Sequence, residues 1–233
     1  MKKNILWDFD GTIARLPGLW SGTMKVVLKD VYNVVADSEI IKAHFSSGFP
    51  WHRPEKLHDA LGAEEWWDNI KPILYQAAHA CGVDDDNLMQ HFRNTFLDVK
   101  RWEITPNIED VLQLVKDNGG SNYILSNHVP ELPELVRDLE LDTYFDEIIS
   151  SGNTGIEKPN PACFDRVVEL AQNNNPDDYL MIGDSVSADF GFASSQNIKC
   201  IIVGVQAPSS SRYLTARNML DLHPEIEAFL GLH

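Results

Sequence analysis

The sequence has little positive charge, and its basic residues are scattered. Its 233 residues carry 19 Lys and Arg against 35 Asp and Glu, a formal net charge of -16. The absence of a Lys/Arg cluster or stripe argues against a nucleic-acid-binding protein, and the negative charge disfavours anionic membrane surfaces. A polyanionic ligand would therefore have to be met by local positive groups or by a metal ion.

Cysteines are also few, and long apolar runs are missing. Cys81, Cys163 and Cys200 are far apart and form no CxxC pair, which predicts reduced, buried thiols in a cytoplasmic protein. Asp8 and Asp10 interrupt the first apolar run, so that run is too short for a signal peptide. No run approaches the roughly 20 residues of a membrane span.

Short apolar runs that end at Gly, Asn, Asp or Ser are typical of strands. The runs that fit this pattern are Asn4–Phe9, Ser121–Leu125, Glu147–Ser150, Tyr179–Ile182 and Lys199–Val203. Their lack of polar alternation predicts strands buried on both faces of a parallel sheet. Helical patterns separate the later strands, so we predict an α/β fold with a doubly wound, mainly parallel, Rossmann-like sheet.

The predicted helices of this fold lie in the second half of the chain. They are Ile108–Val115, Leu132–Leu139, Pro161–Ala171 and Ala188–Ser195. The segment Tyr213–Leu230 is also predicted to be helical and to cover the sheet.

One long stretch shows no strand pattern. Between about Trp20 and about Trp102 the apolar residues recur at helical spacing, as at Met24, Val27 and Leu28. We therefore predict a core domain made of residues 1–15 and 105–233, interrupted by a helical cap domain over residues 16–104.

Polar residues follow the predicted strands. Asp8 and Asp10 end the first, Ser126–Asn127 end the second, Lys158 lies in the loop after the third, and Asp184 follows the fourth. In an open α/β sheet these carboxyl ends meet where the strand order reverses. The sequence therefore predicts a site that combines carboxylates, a hydroxyl, an amide and an ammonium group.

The four motifs resemble those of the haloacid dehalogenase (HAD) superfamily, in its phosphatase branch. They read Asp8-Phe9-Asp10-Gly11-Thr12, Ser126-Asn127, Lys158-Pro159 and Gly183-Asp184-Ser185, with Asp189 farther on. The resemblance covers residues 1–15 and about 105–210, and the helical insertion is similar in position to the family's C1 cap.

The resemblance implies a Mg²⁺-dependent phosphatase of small phosphorylated metabolites. Asp8 would attack phosphorus and form an aspartyl-phosphate, while Asp10 would protonate the leaving oxygen and then activate water. Side chains of Asp8 and Asp184 and the backbone carbonyl of Asp10 would hold Mg²⁺. Asp10 favours phosphoryl transfer, because the resemblance implies that dehalogenases lack this aspartate, although Asp10-Gly11 is also an ordinary turn sequence.

The resemblance also assigns the groups that hold the phosphoryl oxygens. Lys158 would supply a positive charge and Ser126 a hydrogen bond. Backbone amides around Phe9–Thr12, and that of Asn127, would hold the remaining oxygens. Asp189 would orient Lys158 or a metal-bound water, or would serve only as an acid at a helix N-terminus.

In the cap, Trp20, His52 and Arg53 are candidates for contacts that select the substrate. Tryptophans at helical spacing usually pack a core instead, which is the simpler interpretation of Trp20. The loop Ser46–Trp51 is aromatic, as a lid is.

Two other functions stay open. A sugar phosphomutase or phosphotransferase of the same superfamily would, by resemblance, have an acidic pair where this chain has Gly183-Asp184, and a histidine about where Trp20 lies. A catalytically silent binding module on the same fold would be expected to have lost a motif residue, and none is missing.

Overall fold

The computed structural model describes residues 2–58, 62–204 and 212–232. The strands in these ranges are β1 (Asn4–Trp7), β2 (Ala14–Arg15), β3 (Glu103–Ile104), β4 (Ser121–Ser126), β5 (Glu147–Ser150), β6 (Tyr179–Gly183), β7 (Lys199–Val203) and β8 (Leu214–Ala216). Six of them form one sheet in the order β5-β4-β1-β6-β7-β8, and every neighbouring pair in it is parallel. The five strands predicted from apolar runs all lie in this sheet, so the doubly wound α/β fold is confirmed.

The helices in the same ranges are α1 (Leu19–Asp30), α2 (Ser38–His44), α3 (Ala63–Ala80), α4 (Leu88–Phe96), α5 (Ile108–Asp117), α6 (Leu132–Asp138), α7 (Ser151–Thr154), α8 (Cys163–Ala171), α9 (Gly191–Ser195) and α10 (His223–Leu230). Helices α5, α6 and α8 are those predicted between strands. The helix predicted over Ala188–Ser195 is present only as the shorter α9, because a π-helical turn over Val186–Phe190 precedes it. No helix of the described ranges is long and apolar enough to cross a membrane.

The C-terminal segment differs from the prediction of a continuous helix over Tyr213–Leu230. Residues Leu214–Ala216 form the edge strand β8, which pairs with Ile201–Val203 of β7. Helix begins only afterwards, as a short 3-10 turn over Met219–Leu222 and then as α10. Three residues are too few for hydrophobic periodicity to separate a strand from a helix.

The cap region is helical in the structure. Helices α1 to α4 lie between the short strands β2 and β3, which pair antiparallel with Ala14 opposite Ile104. An ion pair of 2.7 Å between Arg15 and Glu103 joins the same two strands. The segment in which the chain leaves the core, β2, thus lies beside the segment in which it returns, β3. The domain limits at residues 16 and 104 stay a prediction.

Aromatic side chains pack the interior of the cap region. Trp20 lies among rings from α3, α4 and the loop before residue 50, with centroids 4.6 Å from Phe96 and 4.8 Å from Phe49. Phe49 is 1% exposed, so the loop that was expected to resemble a lid is anchored in the aromatic interior of the cap region. The three cysteines are free thiols, two of them buried.

Strand β1 positions the site. Its four residues are buried, and the Trp7 indole donates a 2.9 Å hydrogen bond to the side-chain amide oxygen of Asn122 in β4. Strand β1 pairs with β4 on one side and β6 on the other. The strand order therefore reverses at β1, and the loops that follow β1, β4 and β6 meet at one edge of the sheet.

Candidate active site

Asp8 follows β1 and is held by two donors on one oxygen. Its Oδ1 accepts hydrogen bonds from Ser126 Oγ at 3.0 Å and from Lys158 Nζ at 2.8 Å. The Asp8 backbone amide donates to the Ile182 carbonyl of β6 at 2.9 Å. Within the described ranges no donor lies at hydrogen-bond distance from Asp8 Oδ2. The carboxylate is therefore fixed through Oδ1, which leaves Oδ2 to act as a nucleophile or a ligand.

Lys158 is a buried cation between two carboxylates. Its Nζ also lies 2.6 Å from Asp189 Oδ1, and the lysine side chain is 1% exposed. Burial alone would lower its pKa, but the charges of Asp189 and Asp8 outweigh burial and keep the pKa of Lys158 above its usual range. Lys158 is therefore protonated at neutral pH. Asp189 contacts it directly, as one of the predicted roles of Asp189 requires.

Asn127 holds the backbone of the same lysine. Its Nδ2 donates to the Lys158 carbonyl at 2.9 Å, and its Oδ1 accepts from the Lys158 amide at 2.7 Å. The Asn127 side chain therefore ties the loop after β4 to the loop that carries the lysine. Only its backbone amide is left for the phosphate contact expected at this position.

An acidic cluster lies beside these groups. One carboxylate oxygen from each of Asp8, Asp184 and Asp189 lies within 4.8 Å of the others. Asp189 has both oxygens engaged, Oδ1 by Lys158 and Oδ2 by the Ser185 amide at 2.9 Å. Asp8 and Asp184 are therefore the side chains of the cluster with a free oxygen for a cation, and oxygen ligands of this kind suit Mg²⁺; their role as metal ligands stays a prediction.

Electrostatics supports a cation at this position. Burial, and then the negative charges of Asp8 and Asp189, raise the pKa of Asp184 to about 7. Asp184 is an exposed residue, yet its carboxylate lies against the loop after β1. A Cβ built on Gly11 would lie 2.3 Å from Asp184 Oδ2, and Gly11 has a positive φ of +79°. Glycine is thus required there, and a divalent ion would relieve the repulsion among the carboxylates.

Asp10 lies next to this cluster, and its surroundings favour the protonated form of its carboxyl by raising its pKa. Its side chain is 23% exposed, and its Oδ1 is buried without a hydrogen-bond partner among the described residues. Burial, followed by the charges of Asp8 and Asp184, holds the pKa of Asp10 well above its usual range. Asp10 therefore retains a proton near neutral pH more readily than an ordinary aspartate.

In the loop after β1, backbone amides that could bind an anion already donate hydrogen bonds within the loop. The Gly11 amide donates to the Ala14 carbonyl at 2.8 Å and the Thr12 amide donates to the Phe9 carbonyl at 3.2 Å. Thr12 is fully buried, and its Oγ1 has no hydrogen-bond partner within residues 2–58, 62–204 and 212–232. The turn therefore takes up two of the amides expected to hold phosphoryl oxygens, and phosphate binding by Thr12 stays a prediction.

His128 is a site residue that the sequence analysis missed. It directly follows Asn127, its side chain is 1% exposed, and its Nε2 lies 3.9 Å from Asp10 Oδ2. Burial lowers the pKa of His128 to about 4, so the imidazole is neutral. Its position immediately after the Ser126-Asn127 motif is the one signal in the sequence that could have pointed to it.

The predicted cap residues are not equivalent. Trp20 is buried in the aromatic interior of the cap region, and His52 is exposed. Arg53 lies on the wall of a cavity of about 380 Å³ between this region and the loop after β5. Glu157, the residue before Lys158, lines the same cavity, so the cavity approaches the active-site loop.

Glu131, at the start of α6 in the core, joins the two parts of the molecule. It accepts a hydrogen bond from Trp67 Nε1 at 2.9 Å, and its Oε1 lies 2.7 Å from Arg93 Nη2. Trp67 belongs to α3 and Arg93 to α4. A second tie is a 2.9 Å hydrogen bond from Asn160 Nδ2 to the Pro54 carbonyl. These contacts hold the cap region over the carboxyl edge of the sheet.

Comparison with known proteins gives the family of this fold. The sequence model of the haloacid dehalogenase-like hydrolases matches residues 2–196. Haloacid dehalogenase-like hydrolase domain-containing protein 3 of Xenopus laevis is 22% identical over 156 residues, 65% of this chain and 62% of that protein. The match therefore spans about six tenths of the length of that relative. The glyceraldehyde 3-phosphate phosphatase of Methanothermobacter thermautotrophicus is 26% identical over 228 residues, 95% of this chain and 94% of that enzyme.

Solved structures share the fold. The HAD-hydrolase YfnB from Bacillus subtilis, bound to magnesium, superposes with a TM-score of 0.73 at 18% identity and covers 98% of both chains. The 2-haloacid dehalogenase of Pseudomonas syringae superposes with a TM-score of 0.67 at 20% identity, over 98% of this chain and 99% of that chain. The match over residues 2–196 shows that this chain belongs to the haloacid dehalogenase-like hydrolases.

Proposed function

We propose that the protein is a Mg²⁺-dependent phosphatase that hydrolyses small phosphorylated metabolites through an aspartyl-phosphate on Asp8. The observation that carries the proposal is the arrangement around that carboxylate. Ser126 and Lys158 both donate to Oδ1, no donor to Oδ2 is found among the described residues, and Asp10 lies nearby with a raised pKa. Stepwise phosphoryl transfer needs a nucleophile held in place next to an acid, and the raised pKa of Asp10 favours that role.

The chemistry divides between these groups. Asp8 Oδ2 attacks phosphorus, and Asp10 gives its proton to the leaving oxygen as the ester bond breaks. Lys158 and Ser126 offset the negative charge that gathers on the phosphoryl oxygens. Asp10, now a carboxylate, takes a proton from the water that hydrolyses the aspartyl-phosphate. Asp8 and Asp184, with the Asp10 carbonyl, would hold Mg²⁺, which supplies charge neutralisation and orients the phosphoryl group.

Asp10 favours a phosphatase over a dehalogenase. A halide leaves as an anion and needs no proton, whereas an alkoxide leaving group does. Two of the relatives by sequence carry phosphatase names, phosphoglycolate phosphatase of Aquifex aeolicus and the Methanothermobacter enzyme. These names support phosphoester hydrolysis as the reaction class. A cytoplasmic location belongs to the same proposal.

A direct test compares phosphate release from p-nitrophenyl phosphate by the native protein, by Asp8→Asn and by Asp10→Asn, with Mg²⁺ and with excess chelator. We expect turnover only in the native protein with Mg²⁺. Asp8→Asn removes the nucleophile at nearly constant shape, so circular dichroism should show an unchanged fold. Hydrolysis by Asp8→Asn at the native rate, or full native activity in excess chelator, would refute the proposal.

A sugar phosphomutase is the second candidate, and the products distinguish it. A phosphatase releases inorganic phosphate from a sugar phosphate, whereas a mutase returns an isomeric sugar phosphate. Recovery of the isomer without phosphate release would replace the proposed function.

A further inference from the structure

The imidazole of His128 occupies an aromatic box next to the active site. Its ring centroid lies 5.4 Å from Phe9, 5.7 Å from Phe96 and 5.8 Å from Trp102. Phe9 lies between the two catalytic aspartates in sequence, whereas Phe96 ends α4 and Trp102 immediately precedes β3. The box therefore forms where the C-terminal end of the cap region meets the core.

The backbone of His128 is fixed on the core side. Its amide donates to Ser151 Oγ at 3.1 Å, and its carbonyl accepts from Ser150 Oγ at 2.7 Å and from the Gly152 amide at 3.0 Å. With the backbone held and the ring enclosed by aromatic walls, only small side-chain rotations are open to the imidazole. A group placed this way can hold a neighbour in one orientation.

The polar atoms between His128 and Asp10 are unmatched. Nε2 of the imidazole lies 3.9 Å from Asp10 Oδ2, too far for a hydrogen bond. By hydrogen-bond geometry neither ring nitrogen has a partner in the described part of the chain, although the backbone of Val129 lies near enough to the imidazole to raise its pKa, and Asp10 Oδ1 has no partner there either. Buried polar atoms without partners are unfavourable. A rotation that shortens the gap by about 1 Å would let Nε2 and Oδ2 satisfy each other.

We propose that His128 is a positioning residue for Asp10, and that its Nε2–H donates a hydrogen bond to Oδ2 of the Asp10 carboxylate. A carboxylate only accepts hydrogen bonds, so the pairing requires the imidazole proton on Nε2. This bond leaves Oδ1 to exchange the proton with the substrate. The inference rests on the proposed phosphatase function, because it assigns Asp10 the role of acid and base.

The hydrogen bond from His128 stabilises the negative charge that Asp10 acquires when it gives up its proton. As the P–O bond to the leaving group breaks, its electron pair stays on the leaving oxygen, which takes the proton from Asp10 Oδ1. The resulting carboxylate is stabilised by Nε2–H of His128. In the second step water attacks phosphorus, the Asp8 carboxylate departs, and Oδ1 of Asp10 takes the proton of that water. His128 keeps its own proton throughout, so it positions Asp10 without joining the transfer.

The kinetic test uses two substrates of the same shape that differ in their need for a proton. With enzyme in excess, release of p-nitrophenol from p-nitrophenyl phosphate needs little protonation, whereas release of phenol from phenyl phosphate depends on it. We expect His128→Leu to slow phenol release about tenfold to hundredfold and p-nitrophenol release by less than about threefold. His128→Gln, whose side-chain N–H can replace Nε2–H, should restore phenol release to within about threefold of the native rate.

A matched control and a direct observation separate positioning from packing. Phe96→Leu alters the same box without removing a donor, so it should slow both substrates by the same factor. Nitrogen NMR of the native protein identifies the imidazole tautomer without any substitution, and we expect the proton on Nε2.

Each outcome decides between the two functions under test. A proton on Nδ1, or an equal loss on both substrates in His128→Leu without rescue by Gln, overturns the role of His128 and leaves the phosphatase standing. If the native protein releases neither p-nitrophenol nor phenol, both the proposed phosphatase function and the positioning role of His128 are refuted.

Discussion

Lys158 Nζ lies 2.8 Å from Asp8 Oδ1, and the lysine is 1% exposed on its side chain. The same nitrogen contacts Asp189 Oδ1 at 2.6 Å. One buried cation therefore balances two carboxylates, and the site is a structural element of the core as well as a candidate catalytic centre. Changes at Lys158 should accordingly affect both stability and activity.

Replacing the lysine tests that double role. Lys158→Met leaves Asp8 and Asp189 without their cation, and removing one partner of a buried ion pair typically costs about 3 to 5 kcal/mol. We expect the free energy of unfolding in urea to fall by this amount and phosphatase activity to be lost. The double variant Lys158→Met/Asp189→Asn has one buried charge fewer, so it should regain part of the stability but none of the activity. Equal stability of the two variants would show that Asp189 does not share the lysine's charge.

Magnesium binding should depend on pH through Asp184. Burial and the charges of Asp8 and Asp189 raise the pKa of Asp184 to about 7, and a ligand carboxylate must be deprotonated to bind the metal. Protons therefore compete with Mg²⁺ below that pH. We expect the apparent affinity to rise by up to tenfold per unit between about pH 6 and pH 7, and to level off above.

Calorimetric titration of Mg²⁺ at a series of pH values measures this dependence. Asp184→Asn serves as the control, because its weaker binding should lose most of the slope over the same range. A native affinity that is constant across the range would contradict the assignment of Asp184 as a ligand.

Glu157 should make stability fall as pH rises. Burial raises the pKa of this carboxyl to about 7 from a usual value of 4.5, and its Oε2 has no hydrogen-bond partner among the residues described. The folded state therefore holds a proton that the unfolded state releases, so the free energy of unfolding decreases between pH 4.5 and about 7.

Glu157→Gln removes this loss. The free energy of unfolding of Glu157→Gln minus that of the native protein should be about 3 kcal/mol larger above pH 7 than below pH 4.5. Chemical denaturation at the two extremes measures the difference. Glu55→Gln, at an exposed position, is the matched control and should show no such change. A parallel pH dependence of the Glu157→Gln and native proteins would count against a buried, protonated Glu157.

The contact between Arg93 and Glu131 should stabilise the packing of the cap region against the core. The two side chains are 23% and 15% exposed, and Arg93 Nη2 lies 2.7 Å from Glu131 Oε1. A double-mutant cycle with Arg93→Met and Glu131→Gln should give a coupling energy of about 1 to 3 kcal/mol in urea unfolding.

An exposed ion pair provides the comparison for that cycle. Lys42 and Glu39 are 59% and 78% exposed at a distance of 3.0 Å, and their coupling energy should be at most about 0.5 kcal/mol. Indistinguishable values for the two pairs would mean that Arg93 and Glu131 do not hold the cap region in place.

Local sequence patterns were sufficient to predict five of the six strands of the sheet and the polar residues at their ends. A buried strand and the polar residue that ends it are neighbours in the chain, so Asp8, Ser126 and Asp184 could be placed from their apolar runs alone. The order of the strands then brings the loops after β1, β4 and β6 together. Lys158 required the resemblance, because a lysine before a proline in a loop carries no structural signal.

The contacts that refine the site are non-local, which is why the sequence did not predict them. Asn127 was expected near phosphate, yet its side chain binds the Lys158 backbone 31 residues away. The box around His128 needs Phe96 and Trp102 from the C-terminal end of the cap region. The strand Leu214–Ala216 shows the same limit, because only its pairing with β7 separates it from a helix.

The formation of an aspartyl-phosphate on Asp8 is the central claim of this account. Rapid quenching during turnover, borohydride reduction and peptide mass spectrometry locate the phosphorylated carboxyl group, since reduction converts an acyl-phosphate aspartate to homoserine. The account predicts homoserine at position 8 in the native protein and none in Asp8→Asn. Turnover with an unmodified Asp8, or homoserine at another aspartate such as Asp184, would contradict it.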